Sequence, residues 1–488
     1  MNKKALLALL AIAIFGVAVS LQSCGKKPET AATPAVTGTG GPIKAVPLPD
    51  PHIAGFKCPE PQDTIDKWIV ANDTAKEYRH SWGVWTALTM NSGEKYNGED
   101  LRVFETWLTD GDISDAIKAK NTNLLLDFAS RPRTRGKFQV PDQITHARKM
   151  HALKATAEIP QPVQNRLLGF VKYDPTAAEY AIHNTIYDSS TLQGMLNAGQ
   201  KAIPNFPNSA VTLKPVFEFI TPAELDSGKG FYKLNVWSGP KDYPTGYGEG
   251  SWPGWVYVDP ADTSHGNGSV DTGAGRTSTN SYNIDDFIHF KLDAATVASL
   301  KANFNIQAVE GNYAILVAMH VTTRETTNWT WETFWWAPNP DAPPSPSSSF
   351  TANLRPAELT GAPRHYAMAA AYQFIIPAKP GPDASNVGTS IYAYNPYLEA
   401  GFGNDVFAEP AKVITGKQVV INNIGVKTNC MACHALSAYS PATDDSHFYM
   451  ADTYIDSNST HFNGMLRLDF AWSIHDNVII DTGHATKK

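Results

Sequence analysis

The sequence predicts an α+β fold. A β-rich main body, read as an antiparallel sheet or sandwich, follows N-terminal helical segments and precedes a short C-terminal segment that carries a cysteine motif. Three observations predict it. Between residues 206 and 420, short runs of β-branched and aromatic residues are punctuated by Pro, Gly, Asn and Asp. Between 56 and 205, apolar residues recur at mixed or helical spacing. From 421 to 488 periodicity is weak and two cysteines stand three apart. The chain of 488 residues is 42% hydrophobic and 18% charged, a globular composition, and its length suggests two or three domains or one large one.

The first 23 residues read as an export signal. Lys3 and Lys4 precede a 17-residue apolar stretch, ALLALLAIAIFGVAVSL, shorter than the roughly 20 residues of a membrane helix. Leu21-Gln22-Ser23-Cys24 resembles a bacterial lipobox, so Cys24 is expected to carry lipid and become the first mature residue. Gly25, in place of an Asp, favours the outer membrane over the inner. The expected location is the cell envelope, lipid-anchored. Removing the signal changes the net charge from −7 to −9, 38 basic residues against 47 acidic. With no basic footprint, nucleic acid is excluded as a partner. Residues 24–55, rich in Pro, Gly, Thr and Ala, are expected to be a flexible tether.

Residues 56–205 form the mixed or helical region. Asp112 or Ser114 is expected to start a helix carrying Ile117, Leu124 and Leu125. Residues 133–160 are polar and unpatterned and read as a loop, and 176–200 reads as one helix. In the β-rich region, strands are expected within 210–220, 230–239, 253–260, 284–292, 311–323, 328–338 and 367–376. One helix, 294–304, interrupts them, and 337–348 is a Pro/Ser loop. No internal repeat is present.

The C-terminal segment, 421–488, contains Cys430-Met431-Ala432-Cys433-His434. Cys-x-x-Cys-His is the signature of c-type haem attachment. Two thiols at this spacing can add to the two vinyl groups on one edge of a porphyrin, and the next residue offers an imidazole to the iron. With 4 Cys and 14 His, chance placement gives about 0.001 such motifs. A zinc site needs a further Cys/His pair, a thioredoxin-like dithiol needs a βαβ context, and a disulfide at this spacing is strained. One covalent haem c is therefore expected, with Cys430 and Cys433 as thioether anchors and His434 as proximal ligand. Met450 or Met465 is the candidate sixth ligand, and His447, His461 and His475 are further possibilities.

His320 lies in the apolar run AILVAMHV. It is either a hydrogen-bonded sheet histidine or a distal group facing the haem. Trp329 and Trp331 share one strand face, joined by Trp335 if the strand continues, and form either core or a pocket wall. Because 421–488 is too short to enclose a porphyrin, the β-rich region is expected to help build the pocket. Cys58 has no obvious partner and reads as a buried, inert thiol.

The segments HSWGVWTALTMNSGE (80–94), LRVFETWL (101–108), FPNSAVTLKPVF (206–217), MHVTTRETTNWTWETFWW (319–336), NCMACH and LRLDFAWSI (466–474) resemble, in this order, a group of large bacterial proteins called "cytochrome c family protein". The resemblance spans most of residues 80–475 and implies haem binding and export. Where relatives often carry Glu-His after Thr-Phe, this chain has Trp335-Trp336, so no role transfers there. Electron transfer at the cell envelope, with an unidentified redox protein as partner, is the first functional expectation. A haem-dependent oxidoreductase, peroxidase- or oxygenase-like, with its substrate site in the β-rich region is the second. An envelope binding protein with an accessory haem is the third.

Overall fold

The computed structural model describes residues 43–120, 136–154, 167–221, 230–242, 246–379, 388–407, 423–441 and 449–479. They belong to one compact unit. Part of the expected tether is built into it. Ile43 and Ala45 are buried, and the Val46 carbonyl accepts from Trp107 Nε1 at 2.7 Å. The apolar side chains of the IKAVPL stretch provide the anchor that its Pro content hides.

Helices α1 (Gln62–Ala71) and α2 (Thr74–Thr89) come first. Left-handed Asn72 ends α1, and Asp73 caps α2 by accepting from the Lys76 amide. A hairpin follows, β1 (Asn91–Tyr96) and β2 (Glu99–Arg102). It turns at Asn97-Gly98, both at positive φ (50° and 84°), as a two-residue turn demands. The strands NSGEKY and EDLR have no apolar alternation, so neither is singled out as a strand within the mixed or helical region that contains them. Then β3 (Leu108–Thr109) leads into α3 (Asp110–Lys118). Its cap is Thr109, in reciprocal bonds with Asp112, which puts the start two residues before Asp112. Ile117 is buried on it, while Leu124 and Leu125 lie outside the described residues.

The expected loop 133–160 contains α4 (Asp142–Lys154). This helix has no apolar stripe for periodicity to find. Tertiary contacts hold it, including the His146 ring 4.1 Å from that of Tyr449. After β4 (Leu168–Gly169) and β5 (Lys172–Tyr173), the expected single helix 176–200 is two: α5 (Pro175–His183) and α6 (Ser189–Asn197). Asp174 and Asp188 cap them separately, and Thr185, at φ 46°, breaks the run.

The expected strand runs contain β6 (Val211–Ile220), β7 (Tyr232–Asn235), β8 (Trp255–Val258), β10 (His289–Lys291), β11 (Tyr313–Thr323), β12 (Thr330–Trp336) and β13 (Tyr366–Ala371). The short β9 (Ser281–Tyr282) pairs in parallel with β8, and α7 (Ala294–Phe304) matches its prediction. The main sheet is antiparallel, in the order β13-β12-β11-β6-β5-β3, with β10 on β11 and β4 on β6. The α+β class holds. Residues 205 and 206 mark no domain boundary, because β3, β4 and β5 complete the sheet begun by β6.

Register gives each sheet face its content. Lys214 pairs with His320 and His320 with Thr333; Thr212 pairs with Thr322 and Thr322 with Trp331. Alternation puts these six on one face. The other face carries Glu332, Phe334 and Trp336. Phe334 stacks on Trp85 of α2 at 4.2 Å and 17°, and Trp336 stacks on Phe287 at 4.3 Å and 20°. Among the described residues, Trp82, Trp85, Trp335 and Trp336 are among the largest fully buried side chains.

Trp85 also donates to the Pro363 carbonyl at 3.0 Å. Trp85→Ala leaves a cavity under β12 and an unpaired acceptor, so it is expected to lower the unfolding free energy by about 3–5 kcal/mol in urea denaturation. Trp85→Phe, which keeps most of the ring stack, is expected to lose less.

Candidate functional site

The cysteine motif forms one helical turn, α9 (Cys430–His434). It follows the short helix α8 (Ser349–Asn353), capped by Ser348, in chain order. Asn429 sets its position. Its Oδ1 accepts from the Met431 amide at 2.9 Å, and its Nδ2 donates to the carbonyls of Gln373 and Phe374 at 3.2 and 3.1 Å. Its backbone N–H donates to Ala451 at 2.7 Å. Asn429 is fully buried, so these bonds satisfy groups that have no access to water.

A cavity opens beside this turn, with about 1110 Å³ of empty space including its mouth. Large ligands occupy clefts of roughly this size or somewhat smaller. Cys430, Cys433 and His434 all line it. So do Thr212, Lys214, His320, Thr322 and Trp331, which are the floor supplied by β6, β11 and β12. The β-rich region therefore builds part of this wall, as expected. Trp329 also lines it, from a left-handed position (φ 60°) just before β12. Trp335 is buried elsewhere and is not among the lining residues.

His434 is tightly specified. Its Nδ1 stands 2.9 Å from the Phe470 carbonyl, so this nitrogen is the donor and Nε2 is left to coordinate. The carbonyl is presented by two consecutive left-handed residues, Asp469 (φ 48°) and Phe470 (φ 70°). Neither is glycine, and such strain persists only where its surroundings enforce it. Asp469 is fixed by Arg324, Nε to Oδ2 2.9 Å with both side chains buried, and by the Phe206 amide at 3.0 Å. Below His434 lies the Trp331 ring, centroids 4.3 Å apart. Burial pushes the imidazole down to about 3, so it is neutral and able to donate its lone pair.

Both thiols are free, and Cys430 Sγ donates to the Ala393 carbonyl at 3.0 Å. Burial, reinforced by the Glu399 carboxylate, pushes both thiols well up. Trp472 Nε1 donates to the Cys433 carbonyl at 3.1 Å.

Of the candidate sixth ligands, Met450 lines the cavity and is fully buried. Met465 packs against the core but is not among the lining residues, nor are His461 and His475. His447 and Cys24 lie outside the described residues. His320 does face the cavity, and its Nε2 pairs with Glu399 Oε1 at 3.0 Å. The Asn395 amide binds the other Glu399 oxygen at 2.7 Å, while Asn395 Nδ2 is anchored to Thr333 Oγ1 and the Phe334 carbonyl at 2.8 and 2.9 Å. Glu399 has no counterpart in the sequence expectations. YNPYLEAGF has neither motif nor periodicity, and only the chain's return over the sheet brings it to His320.

These residues suit a covalent haem: two free thiols one helical turn apart, an imidazole with its outer nitrogen already satisfied, and a thioether lining the same cavity. Among the described residues, no group of three or more His, Cys, Asp or Glu side chains is arranged to hold a metal ion on its own. A scan against protein-family models, a search of curated proteins and a search of solved structures each return no match.

The depressed imidazole has a pH consequence in the haem-free chain. Once unfolded, His434 regains its ordinary value near 6.5 and binds a proton that the folded state refuses. Its contribution to stability is therefore present above about pH 6.5 and lost as pH falls toward 3. Denaturation at pH 4 to 7 is expected to show a steeper acid loss for wild type than for His434→Gln.

Proposed function

We propose that the chain is an exported monohaem c-type cytochrome, lipid-anchored through Cys24 and transferring electrons at the cell envelope. The observation that carries this is that Cys430, Cys433, His434 and Met450 all line one cavity. Cys430 and Cys433 would hold the porphyrin and His434 Nε2 its iron, with Met450 the thioether in the same cavity that could also hold the iron. A haem so held supplies reversible one-electron chemistry, and a Met ligand raises its potential. The protein's part is to exclude water and to fix the imidazole. Trp331 and Phe470 do the second, one by ring contact and one by hydrogen bond. Among the described residues no helix is long and apolar enough to cross a membrane.

The His320–Glu399 pair favours a second reading, a haem-dependent oxidoreductase. A histidine held by an oriented carboxylate at a cavity wall is the arrangement of a general acid–base group.

Spectroscopy separates the two. After expression with a c-type maturation system, the electron-transfer reading expects covalent haem that is low-spin, six-coordinate and inert to carbon monoxide. Cys430→Ala/Cys433→Ala abolishes covalent attachment, and Met450→Ala opens the haem to carbon monoxide. Absence of covalent haem in the wild type defeats both readings. A high-spin wild type that binds carbon monoxide, with affinity altered by His320→Gln, favours the oxidoreductase.

A further inference from the structure

On the sheet face opposite the cavity, a polar cluster lies in otherwise apolar core. Its centre is Glu332 of β12, 1% exposed, next in sequence to Trp331. Glu332 Oε1 lies 3.4 Å from the Ser81 hydroxyl, which also donates to the Glu77 carbonyl at 3.0 Å, and Oε2 has no partner at hydrogen-bonding geometry among the described residues. An ionised carboxylate buried this way is costly unless something compensates it. His80 and Glu325 form the compensated pair nearby, Nε2 to Oε1 3.2 Å, both buried. Glu325 takes further bonds from the Thr323 hydroxyl and the Glu60 amide, which leaves Glu332 as the carboxyl without a cation of its own.

A hydrogen-bond chain runs from Glu332 toward the backbone of Lys57. Ser81 Oγ is 3.2 Å from the Tyr372 hydroxyl, and that hydroxyl is 2.7 Å from His80 Nδ1. His80 Nε2 reaches the carbonyl of Lys57, an exposed residue, at 3.0 Å. Each link except the last carbonyl is a group that can both give and take a proton. Glu332 is also within electrostatic reach of the haem-attachment helix, where its charge raises the Cys430 thiol.

We propose that Glu332 is a proton-binding site coupled across the sheet to the haem, so that the protein takes up a proton when it accepts an electron. This rests on the cytochrome reading above. An electron from a one-electron reductant, such as a reduced redox protein, comes to rest on the haem. A hydronium proton from solvent adds to a Glu332 carboxylate oxygen and leaves water behind; Ser81, Tyr372 and His80 are the hydrogen-bonding groups beside that carboxylate. The added negative charge disfavours the ionised carboxylate, and by linkage the protonated carboxyl favours the reduced haem. The groups facing Glu332 fit a proton exchanged near neutrality. Burial raises its carboxyl to about 7, against the pull of His80 and with the push of Glu325. From α2, Glu77 is likewise raised to about 7 by burial, with the Asp73 charge adding to it. His80 is raised because the Glu325 carboxylate outweighs burial, and the Cys58 thiol is raised by burial and then by Glu325, so it stays neutral. Across the sheet, Glu399 is the other carboxylate acting on Cys430.

The test is the reduction potential of the haem-loaded protein from pH 5 to 9. The wild-type potential is expected to fall as pH rises through about 7, by less than the 59 mV per pH unit of one proton per electron, and to level off on either side. Glu332→Gln should remove the fall. His80→Gln removes a cation that favours ionised Glu332 and should move the bend to higher pH. Reduced-minus-oxidised infrared spectra at pH 7 should gain a protonated carboxyl band that Glu332→Gln lacks. A flat wild-type potential, or an undiminished slope in Glu332→Gln, overturns the inference. If Glu332→Gln does not fold, an unmoved bend in His80→Gln overturns it. Covalent haem with a flat potential defeats this inference alone, whereas absence of covalent haem defeats the cytochrome reading and this inference with it.

Discussion

Asn429 is the interaction on which the site depends. One buried side chain caps α9 and binds two carbonyls of the 373–374 stretch, while its backbone reaches Ala451. It thereby ties two separate pieces of chain to the turn carrying Cys430, Cys433 and His434. An aspartate could still cap the helix but could not donate to the two carbonyls, and an alanine would leave all three partners unpaired in a dry interior, at about 1–3 kcal/mol for each buried group. A five-residue helix has little stability of its own, so its place in the molecule comes from these bonds.

The sheet gives that turn a rigid floor and divides the molecule into two chemistries. Trp331 and Glu332 are neighbours in β12 and point to opposite faces. One contacts His434; the other sits among Ser81, His80 and Tyr372. A strand is thin, so groups on its two faces remain close enough to interact when no water lies between them. Packing of α2 against Phe334, and of Phe287 against Trp336, keeps water out of one side. The C-terminal segment covers the other.

Legibility from sequence followed the range of the interaction. Strands β6, β11 and β12 were visible because their β-branched and aromatic runs mark them locally. Cys430, Cys433 and His434 were visible because Cys-x-x-Cys-His is a signature of fixed local spacing. Helix α4 was not, since its residues have no apolar stripe and its stability comes from contacts such as His146 with Tyr449. The break between α5 and α6 was hidden because Asp188 reads as an interior helix residue until it is seen capping. Met450 and Met465 were equivalent in sequence, and only the fold puts one of them in the cavity wall.

Glu399 shows why so much chain precedes the motif. It lies 79 residues from His320 and 31 before Cys430, yet it meets the first directly and raises the thiol of the second. The approach needs Gly425, where an added Cβ would stand 1.7 Å from the Glu399 carbonyl oxygen. The 423–428 stretch can therefore lie flush against 399–402 only with glycine at that point. A domain of about 100 residues could hold the cysteines and the histidine. It could not also supply a three-strand floor, a carboxylate braced by Asn395 and a second buried cluster behind the sheet. The size of the protein follows from building both sides of β12.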